Sequence, residues 1–276
     1  MTLRIGCVPY LNARPLVDYF DGPESPQGCE LITAPPSQLA LMLRAGFLDV
    51  ANVSTFEALR LPGLRIVPGI SVSADGPVKS VRLFHRRPLP DLETVALDSS
   101  SLTSAALIRL LLSDMYGCNP AYRSAEPDLP RMLAAHDAAL LIGDLQLFHN
   151  LSGVGVFDLG AGWKQMTGLP FVYALWLARE EAATSGLTTL LQASRDWGCT
   201  HLDAIADRWS CRLGLPPEQV HDYFDHVMHY GLGPERAAAI LEYQQRLHRA
   251  GLIARCDPLK FAPEAASVPG VAATAR

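Results

Sequence analysis

Residues 95–112 read VALDSSSLTSAALIRLLL, which is an apolar run, a hydroxyl-rich turn and an apolar helical segment in succession. Val95–Leu97 has the composition of a buried strand, and five of the seven residues from Asp98 to Ser104 are Ser or Thr. A helix that begins after such a turn directs free backbone N–H groups out of the sheet edge, where they attract a carboxylate or phosphate. The alternative is simple N-capping, in which one hydroxyl satisfies the helix end and the others are solvated.

The composition predicts a globular protein with a large core. The chain has 276 residues, of which 49% are hydrophobic and 18% charged, and its net charge is −5. This length suffices for one large domain or two lobes. Because no basic stripe occurs, we expect no nucleic-acid partner. No uncharged apolar run of membrane-spanning length occurs, so we expect no membrane association.

The cysteines and the N-terminal segment indicate the cellular compartment in which the protein is expected. The six cysteines form no C-x-x-C pair, and no Cys/His cluster has the spacing of a zinc site, so no metal site is expected. The segment Met1–Gly6 runs straight into an apolar strand without the features of a secretion signal. We therefore expect a reduced, cytoplasmic protein.

Strands and helices alternate as far as residue 178, and a mostly helical block follows. The predicted strands are 3–8, 29–33, 49–53, 64–67, 79–84, 95–97, 121–123, 138–142, 154–159 and 171–178. The predicted helices are 38–44, 102–115, 129–135, 181–197, 201–213, 217–229 and 234–250. This order slightly favours two α/β lobes with a ligand cleft between them over a single doubly wound domain.

The two-lobed interpretation assigns each part of the chain. Lobe I is expected to comprise residues 1–83 and 174–260, lobe II residues 84–173, and residues 261–276 are expected to form a disordered tail. Ligands of open α/β sheets bind at the carboxyl ends of the strands. The segment 10–16 follows the first predicted strand at that edge.

Several segments, taken in order, resemble one enzyme family. The segment 10–16, YLNARPL, resembles the Y-L-N-x-x-P-L signature of the menaquinone-biosynthesis dehydratases. Further segments resemble that family in the same order, namely 46–51, Ser54, 75–81, 98–104, 141–144 and 163–172. The ordered set extends over residues 3–255 and is similar to the chorismate dehydratases of the futalosine route.

The resemblance implies a fold and a reaction. The fold is the type II periplasmic-binding-protein fold, an α/β architecture of two lobes with a central ligand cleft, here followed by a helical C-terminal block. The reaction is the loss of water from chorismate to give 3-[(1-carboxyvinyl)oxy]benzoate. A sister enzyme of this fold makes 1,4-dihydroxy-6-naphthoate with a histidine where Gly143 stands in this chain. That activity is therefore the less favoured alternative.

The implied chemistry sets what the site must supply. Chorismate carries a hydrogen on the carbon that bears the enolpyruvyl ether and a hydroxyl on the neighbouring carbon, and removing both aromatises the ring. The hydrogen is vinylogous to the ring carboxylate, so donors around that carboxylate would stabilise the developing charge. The enzyme must bind two carboxylates, orient the ring, supply a base and assist the departing hydroxide. No metal or redox cofactor is needed.

Five candidate residues are expected to bind or orient the substrate. Thr103 and Ser104, with Ser101 beside them, are expected to bind a carboxylate through hydroxyl and backbone N–H groups. Asn12 is expected to orient the hydroxyl or a carboxylate, and the enolpyruvyl carboxylate itself is a possible proton acceptor. The alternative for Asn12 is an Asx-type turn. Arg14 offers either a cation for the dianionic substrate or a surface salt bridge.

Four further candidates lie at or near the ends of predicted strands. Ser54 is expected either to face the cleft or to cap the strand end. His85 is a candidate base or carboxylate partner, with a solvent-facing histidine as the alternative. Asp144 is expected either to act on the leaving hydroxyl or to cap the adjoining segment, and Gly143 is placed in the substrate-binding set.

The expected partner is a small-molecule substrate, chorismate, and the expected state is a monomer or a homodimer. A non-catalytic, cytosolic small-anion-binding protein of the same fold is a further alternative. An exported binding protein of this fold, in contrast to a cytosolic one, would be expected to carry a secretion signal or a lipoprotein cysteine near its N-terminus.

Overall fold

The computed structural model describes residues 2–22, 25–60, 62–144 and 152–264. The strands within these ranges are β1 (Leu3–Cys7), β2 (Cys29–Thr33), β3 (Val50–Ser54), β4 (Leu64–Ala74), β5 (Val81–His85), β6 (Thr94–Asp98), β7 (Ala121–Ala125), β8 (Ala138–Ile142), β9 (Gly155–Asp158), β10 (Phe171–Arg179) and β11 (His229–Leu232). The α-helices are α1 (Arg14–Asp21), α2 (Pro36–Arg44), α3 (Thr55–Arg60), α4 (Leu102–Tyr116), α5 (Leu129–Ala135), α6 (Leu159–Thr167), α7 (Ser185–Thr200), α8 (Leu202–Leu213), α9 (Pro217–Asp222) and α10 (Pro234–Arg249).

The strands form two separate sheets, one in each lobe. The first sheet has the order β11-β4-β10-β3-β1-β2, and the second has the order β7-β6-β8-β5-β9. In the first sheet β1 is parallel to β2 and β3, whereas β10 is antiparallel to β3 and β4. In the second sheet β6 is parallel to β7 and β8, and β5 is antiparallel to β8 and β9. The carboxyl ends of β1, β3, β6 and β8 therefore supply most of the loops that face the cleft.

The chain passes between the sheets twice, once between β4 and β5 and once between α6 and β10. The expected lobe boundaries at residues 83 and 173 lie inside β5 and β10, respectively. Each of these strands pairs within one sheet along its whole length. The crossings accordingly lie at residues 75–80 and 168–170, a few residues before the expected boundaries.

Local signals account for the central helix α4. Ser101 caps its N-terminus by accepting a hydrogen bond from the Ser104 N–H at 3.3 Å. Gly117 ends it in the left-handed conformation, with φ of 63°. The apolar residues between these caps, among them Leu107 and Leu111, are fully buried in the core shared by the two lobes.

The mostly helical C-terminal block differs from the expectation at residues 217–232. The predicted helix 217–229 is instead α9, a wider helical turn at Tyr223–Val227, and strand β11. The β11 strand is antiparallel to β4, where the Ser71 hydroxyl donates to the Gly231 carbonyl at 2.7 Å. A four-residue strand of this kind is stabilised by pairing with a distant segment, which local periodicity does not indicate.

The expected disordered tail is wrong for its first residues. Phe261 forms a bridge with Ile66, and the Ala262 N–H donates to the Ile66 carbonyl at 2.8 Å. Ala262 is buried as a result. Residues 265–276 of the expected tail lie outside the described residues. None of the helices in the described ranges is both long enough and apolar enough to cross a membrane.

Candidate active site

A cleft between the two sheets gathers polar side chains from both lobes. Its walls come from the loop after β1, the end of β3 and strand β10 in lobe I, and from the β6–α4 turn and the end of β8 in lobe II. Of the nine expected site residues, six line this cleft, namely Asn12, Ser54, Ser101, Thr103, Ser104 and Gly143. Tyr10, Asn52, Ser80 and Tyr173 line it as well and were not among the sequence candidates.

The hydroxyl-rich turn before α4 is held rigidly. One Asp98 carboxylate oxygen accepts from the backbone and hydroxyl of Ser100 at 2.9 and 2.6 Å, and the other accepts from the Ile142 N–H at 3.3 Å. Ser101 acts as the helix cap, and it also lines the cleft. The two alternatives for this turn are therefore compatible, because Ser101 both caps α4 and lines the cleft.

Ser54 and Thr103 each accept a backbone N–H from helix α3. The Glu57 N–H donates to the Ser54 hydroxyl oxygen at 3.4 Å, and the Phe56 N–H donates to the Thr103 hydroxyl oxygen at 3.2 Å. Because each oxygen accepts one of these bonds, its own O–H proton stays free to donate to a ligand oxygen. The Thr103 bond also joins lobe II to lobe I.

Asn12 lies in the short helical turn Leu11–Ala13 at the carboxyl end of β1. The Leu11 N–H donates to both carboxylate oxygens of Asp144, at 2.8 and 3.0 Å. Asp144 therefore caps this turn from the opposite lobe. The Asn12 Oδ1 atom is buried and accepts no hydrogen bond. The turn is thus fixed across the cleft while its amide oxygen remains available.

Tyr223 and Ser80 lie beside Asn12. The hydroxyls of Ser80 and Tyr223 are hydrogen-bonded at 2.8 Å. Burial raises the pKa of Tyr223, and hydrogen bonds with Ser80 and Asn12 oppose that rise. Tyr223 consequently stays a neutral phenol at physiological pH, and it supports the Asn12 amide.

The environment of Asp144 perturbs its ionisation. Burial raises the pKa of Asp144 to about 6, while the hydrogen bond from the Leu11 N–H and the positive charge of Arg14 act in the opposite direction. The side chain does not line the cleft, and its carboxylate is directed to the Leu11 turn. Its observed contact is that of a cap between the lobes.

We expect the Asp144→Asn variant to change how stability depends on pH. The native carboxyl holds its proton up to a pKa of about 6, whereas an unperturbed carboxyl releases it near 3.8, so the native state binds more protons in this window. The stability contribution is complete below about pH 4 and is lost as the pH rises through about 6. Two pKa units correspond to about 3 kcal/mol, which partial exposure of the side chain reduces to about 2 kcal/mol.

Chemical denaturation at pH 4 and pH 7 checks this prediction. Asn keeps an acceptor oxygen for the Leu11 N–H but does not titrate. The free energy of unfolding of the wild type, minus that of the variant, should be about 2 kcal/mol smaller at pH 7 than at pH 4. An equal difference at the two pH values would contradict the assignment.

Arg14 is not available to a substrate in the cleft. Its guanidinium donates to the Pro9 carbonyl at 2.9 Å and lies 3.8 Å from the ring centre of Trp209. The residue is only 6% exposed and does not line the cleft. The alternative of a salt bridge is met by Asp18, whose Oδ1 lies 4.0 Å from the guanidinium, but the pair is buried in lobe I and not on the surface.

His85 is also not brought to the cleft. Val81, at the start of β5, lines the cleft, and His85 lies four residues further along the same strand, about 13 Å away. Its ring Nδ1 is 2.8 Å from the Arg87 carbonyl oxygen, and its ring packs against Gly155. His85 is therefore not placed to act as a base or as a carboxylate partner in the cleft.

Gly143 shapes the cleft through its backbone. It adopts a left-handed φ of 95°, and its N–H donates to the Ser80 carbonyl at 3.0 Å. A Cβ atom placed on Gly143 would lie 3.3 Å from two ring atoms of Tyr10. A side chain here would therefore be strained and would crowd Tyr10.

The polar groups that line the cleft carry no formal charge, and apolar side chains such as Val8, Val72 and Ile142 form much of the remaining lining. Among the described residues that line it, no Asp, Glu, Lys, Arg or His occurs. The polar groups are instead hydroxyls, two amides and the backbone at the start of α4. Such a surface can donate several hydrogen bonds to an anion without placing a protein charge beside it.

Sequence comparison identifies relatives along most of the chain. The family model described as menaquinone biosynthesis matches residues 3–249. The chorismate dehydratase of Thermus thermophilus is 33% identical over 251 residues, which cover 84% of this chain and 90% of that relative. Both lobes and all the strands that carry the cleft lie within the family match.

Structural comparison identifies the fold. A protein from Archaeoglobus fulgidus aligns with a TM-score of 0.73 at 18% identity, covering 91% of this chain and 98% of its own. The periplasmic aliphatic sulphonate binding protein SsuA from Escherichia coli aligns with a TM-score of 0.64 at 18% identity, covering 100% of this chain and 96% of its own. These likenesses confirm the predicted two-lobed periplasmic-binding-protein fold.

Proposed function

Since the chain belongs to the menaquinone-biosynthesis family, we propose that it is a hydro-lyase that removes water from chorismate to give 3-[(1-carboxyvinyl)oxy]benzoate. The observation that carries this proposal is the uncharged, donor-rich cleft between the lobes. Chorismate is a dianion with oxygen acceptors at both ends, and the elimination moves negative charge toward its ring carboxylate. A cleft of fixed neutral donors suits that charge shift.

The hydroxyl-rich turn is the proposed seat of a substrate carboxylate. Ser101, Thr103 and Ser104 lie at the N-terminus of α4, whose backbone N–H groups and dipole favour an anion. The Thr103 oxygen already accepts from the Phe56 N–H, which directs its proton elsewhere. Ser54, held in the same way by the Glu57 N–H, donates from the opposite lobe. The carboxylate would thus be held by donors from both lobes.

The proton acceptor in this proposal is the enolpyruvyl carboxylate of chorismate. None of the described residues that line the cleft has a carboxylate, imidazole or amine side chain. When the substrate carboxylate takes the ring proton, it becomes a carboxylic acid that needs an acceptor for its new O–H. The unpartnered Oδ1 of Asn12 is an acceptor of the required kind.

The steps of the reaction balance without a cofactor. The C–H electron pair enters the ring and moves toward the ring carboxylate, and the neighbouring C–O bond then breaks with its electron pair on oxygen. The departing hydroxide takes up the proton held by the enolpyruvyl carboxyl group, which regenerates the carboxylate. The products are water and an aromatic dianion.

We place the reaction in the cytoplasm. All six cysteines are free thiols, and Cys7 and Cys118 are buried. Free cysteines in this number are typical of a reducing compartment. The oligomeric state, monomer or homodimer, stays a prediction.

Incubation of the purified protein with chorismate tests the proposed function. We expect an aromatic absorbance to appear, together with a product whose mass is lower than that of chorismate by one water. Heat-denatured protein and protein-free chorismate are the controls for spontaneous decay. Saturable binding of chorismate without turnover would favour the anion-binding alternative and would contradict the proposal.

A further inference from the structure

Of the twelve buried polar side-chain atoms without a partner in the part of the chain that the structure describes, four belong to residues that line the cleft. They are the Oδ1 of Asn12, both amide atoms of Asn52 and the hydroxyl of Tyr173. Buried polar groups are usually hydrogen-bonded, and an unsatisfied one costs about 1–3 kcal/mol. The proposed mechanism uses the Asn12 oxygen, and it leaves Asn52 and Tyr173 without a role.

Asn52 lies in the middle of β3, between β1 and β10, and it is fully buried. The side chains on its face of the sheet are those of Val50, Ser54 and, directly across in β10, Trp176, whose indole N–H is buried and unpartnered as well. A leucine of similar size would fill this position without any cost for an unpaired amide. An amide kept here therefore points to a ligand that pairs with it.

The chemistry of the amide restricts what that ligand group is. Both the NH₂ donor and the carbonyl acceptor of Asn52 are free, so the complementary group both donates and accepts. Chorismate has one such group, its ring hydroxyl, because its carboxylates and its ether oxygen only accept. The Tyr173 hydroxyl, in the neighbouring strand β10, is a further donor that lines the same cleft.

We infer that Asn52 and Tyr173 form the subsite for the hydroxyl that leaves in the proposed dehydration. In the ground state the Asn52 carbonyl accepts from the hydroxyl. As the C–O bond breaks and its electron pair moves onto oxygen, the amide N–H and the Tyr173 O–H donate to that oxygen. Hydrogen bonds that strengthen in this way as charge develops lower the barrier. This assignment rests on the proposed function.

The state of Tyr173 agrees with a donor role. Burial raises its pKa well above the ordinary value, and the negative charge of Asp158 adds to the rise. The phenol therefore keeps its proton at neutral pH. The hydroxyl also lies 2.8 Å from where a Cβ atom on Gly160 would be, so the glycine leaves room for it.

Thr55 provides a matched control within the same segment. Its hydroxyl is also buried and unpartnered, but the residue does not line the cleft. Asn52→Leu and Thr55→Val each remove an unpaired polar group with little change of volume. We expect neither variant to have a lower melting temperature than the wild type, because each removes an unsatisfied group.

Steady-state kinetics with chorismate should separate the two variants. Asn52→Leu is expected to lower kcat by about 10- to 50-fold, because that is the usual effect of losing a hydrogen bond to a charged group. The kcat of Thr55→Val should stay within about twofold of the wild-type value. Tyr173→Phe removes only the hydroxyl and should lower kcat in the same direction. It serves as a second test in case Asn52→Leu folds poorly.

Binding of the reaction product gives the decisive readout. The product, 3-[(1-carboxyvinyl)oxy]benzoate, has both carboxylates but lacks the ring hydroxyl. Its inhibition constant should therefore be unchanged in Asn52→Leu and Tyr173→Phe. If the inhibition constant of the product rose as much as kcat fell, the subsite assignment would be wrong. It would also be wrong if both variants kept the kcat of the wild type. A wild-type protein that does not convert chorismate would instead overturn the proposed function on which the subsite rests.

Discussion

Asn12→Ala is expected to lower kcat/KM for chorismate by about 10²- to 10³-fold, the loss typical of one preorganised hydrogen-bonding group at a reacting centre. The Asn12 Oδ1 is buried without a donor, so a ligand group is needed to satisfy it. Its turn is fixed from the other lobe by the bond between Leu11 and Asp144, at 2.8 Å. The amide is thus held in place before the substrate arrives, and alanine would leave the enolpyruvyl carboxyl group without an acceptor once it has taken up the ring proton.

The loss should appear mainly in kcat. If the enolpyruvyl carboxylate takes the ring proton, Oδ1 accepts a hydrogen bond only once that proton has moved, which is a transition-state interaction. In the proposed binding mode the hydroxyls around α4 hold the substrate, and the substitution leaves them intact. KM should therefore change by less than about threefold.

Asn119→Ala is the matched control, since Asn119 is an exposed asparagine outside the cleft. We expect it to keep the activity of the wild type. Both variants should be compared by circular dichroism and by thermal unfolding before the kinetics are measured. A folded Asn12→Ala protein with activity within twofold of the control would remove Asn12 from the mechanism.

Local patterns predicted the parts of the site that depend on neighbouring residues. The hydroxyls before α4 could be recognised because a strand, a polar turn and an apolar helix follow one another in the sequence. The strand ends that carry Asn12 and Ser54 could be placed for the same reason. In each case the backbone geometry after a strand, and not a distant contact, brings the side chain to the sheet edge.

Other parts of the site depend on contacts that local patterns do not encode. Asn52 lies inside a buried strand. The sequence does not show whether its amide has a hydrogen-bond partner, and only the three-dimensional structure shows that it has none. His85 has the chemistry of a base, but the direction of β5 places it at the far end of the second sheet. The cation of Arg14 is directed away from the cleft by the Pro9 carbonyl and the Trp209 ring. Residue type alone predicted the wrong surroundings for both.

Helix α7 of the C-terminal block packs against α1 and thereby helps to fix the position of the Asn12 turn. Helix α1 begins directly after the Asn12 turn, and α7 packs along it. The Ser194 hydroxyl donates to the Leu16 carbonyl at 2.8 Å, and one turn later Gly198 faces the backbone of Pro15. Small residues at these two positions let the helix backbones approach closely, so the placement of Asn12 depends on them.

Gly198→Ala is expected to destabilise the protein by about 3 kcal/mol or more, the upper range for overpacking. A Cβ atom there would lie 1.7 Å from the Pro15 carbonyl oxygen and 2.5 Å from its carbonyl carbon, and backbone atoms cannot rotate away. Gly186→Ala, in the same helix, is the control. Its Cβ would meet only the Thr184 hydroxyl oxygen at 3.8 Å, so we expect stability to stay equal or to rise by up to about 1 kcal/mol.

Urea unfolding of the two variants measures this difference, and kinetics on the folded fraction measure its consequence for the site. Relief of the overlap requires α1 to move away from α7, and the Asn12 turn moves with it because no residue separates the turn from the helix. Folded Gly198→Ala protein should therefore also lose kcat by about tenfold, since small displacements of a positioning group cost activity. Wild-type stability and activity in Gly198→Ala would show that the α1–α7 contact yields without cost and does not position Asn12.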